Sequence, residues 1–110
     1  MDAKEQHTMS EALDRLWNRF RPEMDERVDL LEAANKSLAA DKLSMHQREE
    51  ANSAAHKLAG VLGTFGLTKG TVLAREAEVM YSGDADPDPN SLPRLKEIAQ
   101  ELKAIIASRG

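Results

Sequence analysis

One histidine in this chain is set apart by its neighbours: Ala55-His56-Lys57-Leu58-Ala59-Gly60, with further glycines at Gly63 and Gly66. An imidazole is largely neutral at pH 7 and keeps one ring nitrogen free to act as a nucleophile or base. Glycine costs about 1 kcal/mol against alanine in a helix interior, so glycines stepping along a helix need a reason. If Glu49 to Leu67 is helical, each residue advances about 100° around the axis, which puts Gly60 and Gly63 within about 40° of His56. Leu58, Leu62 and Phe65 fall about 160° to 240° away, on the side where apolar periodicity places the core. His56 is therefore expected to point outward from a face stripped of bulky side chains. Such a face lets another macromolecule bring a reactive group up to the ring.

Which chemistry the ring could serve follows from what surrounds it. The chain has no cysteine, which removes a thiol nucleophile, a thiolate zinc site and any disulfide framework. His46 lies about 80° round the same helix from His56, and His7 falls in the N-terminal segment, so a three- or four-ligand metal site is not expected. Phosphoryl transfer fits better, because the protein's part in it is mostly positioning and charge stabilisation. Lys57 is the nearby cation, suited to a phosphoryl group carrying up to about −2 charge. Glu49 and Asn52 share the His56 side and could touch a partner or orient the ring through a water. Arg75, Glu76 and Glu78 read as a solvated face.

The elements that must hold this histidine are helical throughout. Residues 1–7 show no periodicity and are expected to form a flexible tail, leaving 8–110 as the folded unit. Thr8 or Ser10 can cap a first short helix with Leu13, Leu16, Trp17 and Phe20 on its apolar side. Pro22, tolerated in a first turn and disruptive inside a helix, marks the expected entry to a second helix running to about Ala40 with Met24, Val28, Leu31 and Leu38 inward. The His56 helix follows and ends near Gly66, a natural C-terminal glycine. Thr68 or Thr71 then caps a helix carrying Leu73, Ala77 and Met80 to about Tyr81. Residues 82–90 form the stretch densest in turn formers. Ser91 opens the last helix, where Leu95, Ile98, Leu102 and Ile105 make a bundle seam.

Composition sets the outer limits. A chain of 110 residues that is 41% apolar and 31% charged builds one globular domain without metal or disulfide help. Its net charge of −4, with both signs interspersed, argues against a phosphate-backbone binder, so no nucleic-acid partner is expected. No apolar run is long enough for a membrane span, and the N-terminus lacks a secretory core, so a cytoplasmic location is expected.

The segment Ala54-Ala55-His56-Lys57-Leu58-Ala59-Gly60-Val61-Leu62-Gly63-Thr64-Phe65-Gly66-Leu67 resembles the phosphorylation-site helix of histidine-containing phosphotransfer (HPt) domains, and Gly70 to Glu78 continues in their style. The resemblance implies an all-α, antiparallel up-down-up-down four-helix bundle, here with a short additional N-terminal helix. It implies a phosphoryl carrier without an ATP site of its own. By this likeness His56 matches the phosphoacceptor, reacting at Nε2, Leu58 the buried leucine, and Gly60 the small residue that admits the partner. Gly60, Gly63, Asn52 and Ala59 are then the expected docking residues. The implied partners are response-regulator receiver domains and a hybrid histidine kinase. The receiver brings its aspartate and Mg²⁺, and no cofactor is expected on this chain, which would act as a monomer or as a module of a larger protein. Two positions depart from the usual pattern: Ala59 stands where lysine is common and Val61 where serine is, which leaves Lys57 to stabilise charge. The competing expectation is a non-catalytic helical adaptor of the same fold.

Overall fold

The computed structural model describes the backbone of residues 3–109 and the side chains from residue 8 onward. Helix α1 runs Ala3–Ala39, α2 Met45–Thr64, α3 Thr68–Met80 and α4 Leu92–Arg109, with a short 3₁₀ turn at Pro89–Ser91 before α4. No strand occurs among the described residues. The expected four-helix bundle is present, and consecutive helices run antiparallel. Trp17, early in α1, meets Phe65 just after α2, and Asn35, late in α1, meets Leu95 early in α4.

The short additional N-terminal helix is not a separate element. Pro22 lies inside one continuous 37-residue α1, although a proline there removes one backbone hydrogen bond. The helix survives because the core stripe does not change phase at the proline. Trp17, Met24, Val28, Leu31 and Ala34 are all buried on one side, while Pro22 and Asn18, whose carbonyl loses its donor, both face water. At about 1.5 Å per residue, α1 alone accounts for the 54 Å long axis of the molecule. Leu13 and Leu16, expected on an apolar inner side, are instead 41% and 42% exposed, on turns beside the end of α4, where Asp14 pairs with Arg109 at 3.1 Å. Of the segment expected to be a flexible tail, Met1 and Asp2 lie outside the described residues, and the backbone of 3–7 belongs to α1.

Local chemistry explains the other boundaries. Ser44 caps α2 by accepting from the Gln47 N–H. At its other end Gly66 takes φ +72°, with Gly66 N–H bonding Gly63 O and Leu67 N–H bonding Leu62 O, a Schellman ending of the kind the glycine foretold. Helix α3 opens from Leu67 without a side-chain cap, so neither Thr68 nor Thr71 serves as one. In α4, Leu95, Ile98, Leu102 and Ile106 fill the core, with Ile105 only partly buried beside them.

Large side chains from α1 and α4 close the core, and a polar pair sits among them. Asn35, 4% exposed, donates from Nδ2 to the Leu95 carbonyl at 3.2 Å and accepts from the Tyr81 hydroxyl at 2.6 Å. Burial pushes the Tyr81 phenol well above its ordinary pKa, so it remains a protonated donor. At the surface, Arg94 grips Glu76 with two nitrogens, joining α4 to α3 and holding the Glu76 carboxyl below the usual range.

Removing the Tyr81 hydroxyl strands the buried Asn35 oxygen, and leaving such a group unpaired costs about 1–3 kcal/mol. Tyr81→Phe should therefore lower the urea midpoint with an unchanged slope. An unchanged midpoint would show that the pair contributes nothing net.

Candidate functional site

His56 sits in the middle of α2 with its side chain 67% exposed, as the helical wheel requires. Its Nδ1 lies 2.8 Å from Oε2 of Glu78 on α3. An ionised carboxylate only accepts hydrogen bonds, so Nδ1 carries a proton, and in the neutral ring Nε2 presents its lone pair to solvent. The ring is thus held in one tautomer by a carboxylate from the neighbouring helix. Arg75, one turn earlier on α3, places Nη1 3.9 Å from the other Glu78 oxygen.

That Glu78 can reach the ring depends on how near α3 comes to α2. Ala51, Ala55, Ala59 and Gly63 recur every four residues along α2, a single stripe turned toward α3. Gly70, Ala74 and Ala77 supply small buried residues on α3. Between the stripes, the Thr71 hydroxyl donates to the Ala59 carbonyl at 3.0 Å.

The glycines consequently divide into two kinds. A methyl group at Gly60 would meet nothing within 4 Å, so this residue leaves open space one turn beyond His56. A methyl group at Gly63 would lie 3.3 Å from Thr71 Oγ1, so Gly63 serves close packing against α3. Ala59 corrects an expectation: at 1% exposure, its side chain lies in the core and cannot meet a partner. Its smallness serves the α2–α3 approach.

Asn52, expected at the docking surface, is half-buried, and its Nδ2 donates to the Glu78 carbonyl at 2.8 Å. Lys57 is exposed on the opposite flank of His56, lining a groove between α1 and α2 with Arg27, Leu30, His46, Glu49 and Ser53. His46 pairs with Glu50 at 3.5 Å. Among the described residues no cluster of three or more His, Asp or Glu side chains could hold a metal ion.

Sequence reasoning missed Glu78. On α3 it belongs to neither the core side nor the outer face, and the expected solvated face of Arg75, Glu76 and Glu78 breaks up. Glu76 pairs with Arg94 and Glu78 with His56. The signal that could have found Glu78 is the stripe of alanines at four-residue spacing, which promises a close helix neighbour on that side of the histidine.

Residues 15–106 match the family model of the Hpt domain. The chain belongs to the Hpt domain family. Hpt domains are phosphocarriers in phosphorelays and not kinases, and they interact with response-regulator receivers. Protein RcaC of Microchaete diplosiphon is 33% identical over 91 residues. That match covers 83% of this chain and 14% of the relative. No solved structure matches. No helix of this Hpt domain is long and apolar enough to cross a membrane among the described residues.

The open space at Gly60 gives a direct stability test. Gly60→Ala adds a methyl group to a helix interior without a clash and should stabilise the domain by up to about 1 kcal/mol in thermal or denaturant unfolding. A loss of stability would mean that the α2 face at this position is not open.

Proposed function

We propose that His56 accepts a phosphoryl group at Nε2 from the aspartyl phosphate of a receiver domain and passes it to another receiver aspartate. The observation that carries this reading is the Glu78 hydrogen bond to Nδ1 at 2.8 Å, which leaves Nε2 as the free nucleophile on an exposed ring. In the step, the Nε2 lone pair forms the N–P bond while the P–O bond to the receiver's carboxylate breaks and that carboxylate leaves. The ring gains positive charge as the bond forms, and Glu78, against Nδ1–H, offsets it. The reverse step returns the phosphoryl group to a second carboxylate.

Gly60, with open space over its Cα, gives the receiver room to approach Nε2. Lys57 is exposed on one flank, and its flexible stem lets the ammonium meet the phosphoryl oxygens once the partner is docked. The receiver supplies Mg²⁺ with its own acidic residues, and this chain contributes the ring, its orientation and the clearance. Docking of this kind is transient, with roughly 1,200 Å² buried or less.

Incubating the domain with several phosphorylated receiver domains and Mg²⁺ tests the reading. Wild type should take up acid-labile, base-stable phosphate and His56→Gln none. Gly60→Gln should stay folded but lose most of the transfer rate, since a long side chain then occupies the approach to Nε2. Lys57→Ala should slow transfer or shorten the lifetime of the phosphorylated form. Absence of label with every receiver, together with retained receiver binding, would replace the carrier by a non-catalytic adaptor.

A further inference from the structure

We infer that Asn52 is a positioning residue for His56, acting through the backbone of Glu78, rather than a docking residue. The argument begins at the end of α3, where the last carbonyls of a helix have no intrahelical donor. The donor that would continue the helix at the Glu78 carbonyl is the Ser82 N–H. That group turns instead to Val79 O at 3.2 Å, and the Ser82 hydroxyl joins it there at 2.6 Å. The Tyr81 N–H goes to Ala77 O at 3.0 Å. The Glu78 carbonyl is therefore a terminal acceptor, and it is taken by Asn52 Nδ2 at 2.8 Å across the helix interface.

Asn52 and His56 are one turn apart on α2, so their side chains are neighbours on the same face. Together they hold two ends of one residue: Asn52 the backbone carbonyl of Glu78, and His56 its carboxylate. The amide fixes where the last turn of α3 stands along α2, and that position decides whether the carboxylate meets Nδ1. Helix termini open at the lowest local cost, so a carboxylate on a last turn needs such a tie to stay in register. Arg75, at 3.9 Å from the second carboxylate oxygen, limits how the side chain can rotate.

The consequence is a statement about the tautomer. The proton of a neutral imidazole settles on the nitrogen that faces an acceptor and leaves the other nitrogen its lone pair. With Glu78 in place it stays on Nδ1; with Glu78 displaced, the Nε2–H form appears and removes the lone pair that the proposed transfer uses. The inference rests on that function only for its importance, because the tautomer is measurable without any phosphoryl group.

The test is a two-bond ¹H–¹⁵N correlation spectrum of the ring on the intact chain, recorded where His56 is neutral. Wild type should show His56 as the Nδ1–H form, and Glu78→Ala, which removes the acceptor, should raise the Nε2–H form. Asn52→Leu, with α3 amide shifts confirming the fold, should raise the Nε2–H form from a trace to a major population and slow phosphoryl uptake in proportion. If Asn52→Leu folds poorly, Asn52→Ala, with the best helix former at the site, carries the same readout. A folded Asn52 variant whose ring stays wholly Nδ1–H overturns the inference, and slower uptake without a tautomer change overturns it too by returning Asn52 to the docking surface. A wild-type domain that takes up no phosphate from any receiver would instead overturn the proposed function and leave the tautomer result standing.

Discussion

The close approach of α2 and α3 is the constraint on which the site depends. Neither side chain is long, so a 2.8 Å contact between His56 Nδ1 and Glu78 Oε2 demands that the two helices lie close together. Residues with side chains no larger than a methyl group, placed every four positions at Ala51, Ala55, Ala59 and Gly63, make that approach possible. Gly70 meets the same demand from α3: a methyl group there would come within 2.9 Å of the Leu62 side chain. A large residue at any buried point of either stripe would push α3 outward and withdraw the acceptor from Nδ1.

Volume withheld from the α2–α3 seam is supplied elsewhere. The large buried side chains belong mainly to α1 and α4, with Trp17, Met24 and Leu31 facing Leu95, Ile98, Leu102 and Ile106. Leu58 and Leu62 of α2 point into this region, so one helix has a thin side toward α3 and a thick side toward the core. At the end of the bundle, Trp17 packs edge-on to Phe65 at 5.1 Å, and the Arg109 guanidinium lies 5.3 Å over its ring. That plug secures the turn after α2, whose Gly66 sends the chain directly into α3 and so sets the register of the seam.

How much of this was legible differs by residue, for physical reasons. The outward ring, the buried Leu58 and Leu62 and the break at Gly66 follow from periodicity within one helix, and each appears in the structure. The split at Pro22 was misread because a local rule about one missing hydrogen bond competes with a stripe of large apolar residues, and burial of Trp17, Met24 and Val28 in a single line outweighs it. Glu78 was illegible for a different reason. Its role exists only across 22 residues of sequence, in a register set by helix packing, and a charged residue between two faces of α3 carries no periodic signal of its own. Ala59 shows the same limit in reverse: its place beside His56 suggested a surface, and the neighbouring helix covers it.

The charges around the ring have a direction that follows from this packing. Glu78 stands on the last turn of α3, where the helix carries its partial negative charge, so carboxylate and helix end act together on the Nδ1 side. The cations lie elsewhere: Lys57 on the α1 flank and Arg75 beyond the carboxylate. A ring that forms a bond to phosphorus becomes positive, while the group it receives is negative, so the two halves of the product need opposite surroundings. In the proposed transfer, negative charge behind Nδ1 and a flexible lysine at the exposed side would meet both needs. The arrangement also bears on the position where Ala59 replaces the lysine common in this family. A long cationic side chain there would start from the seam between α2 and α3, whereas the lysine at 57 starts from the open flank and leaves the seam closed.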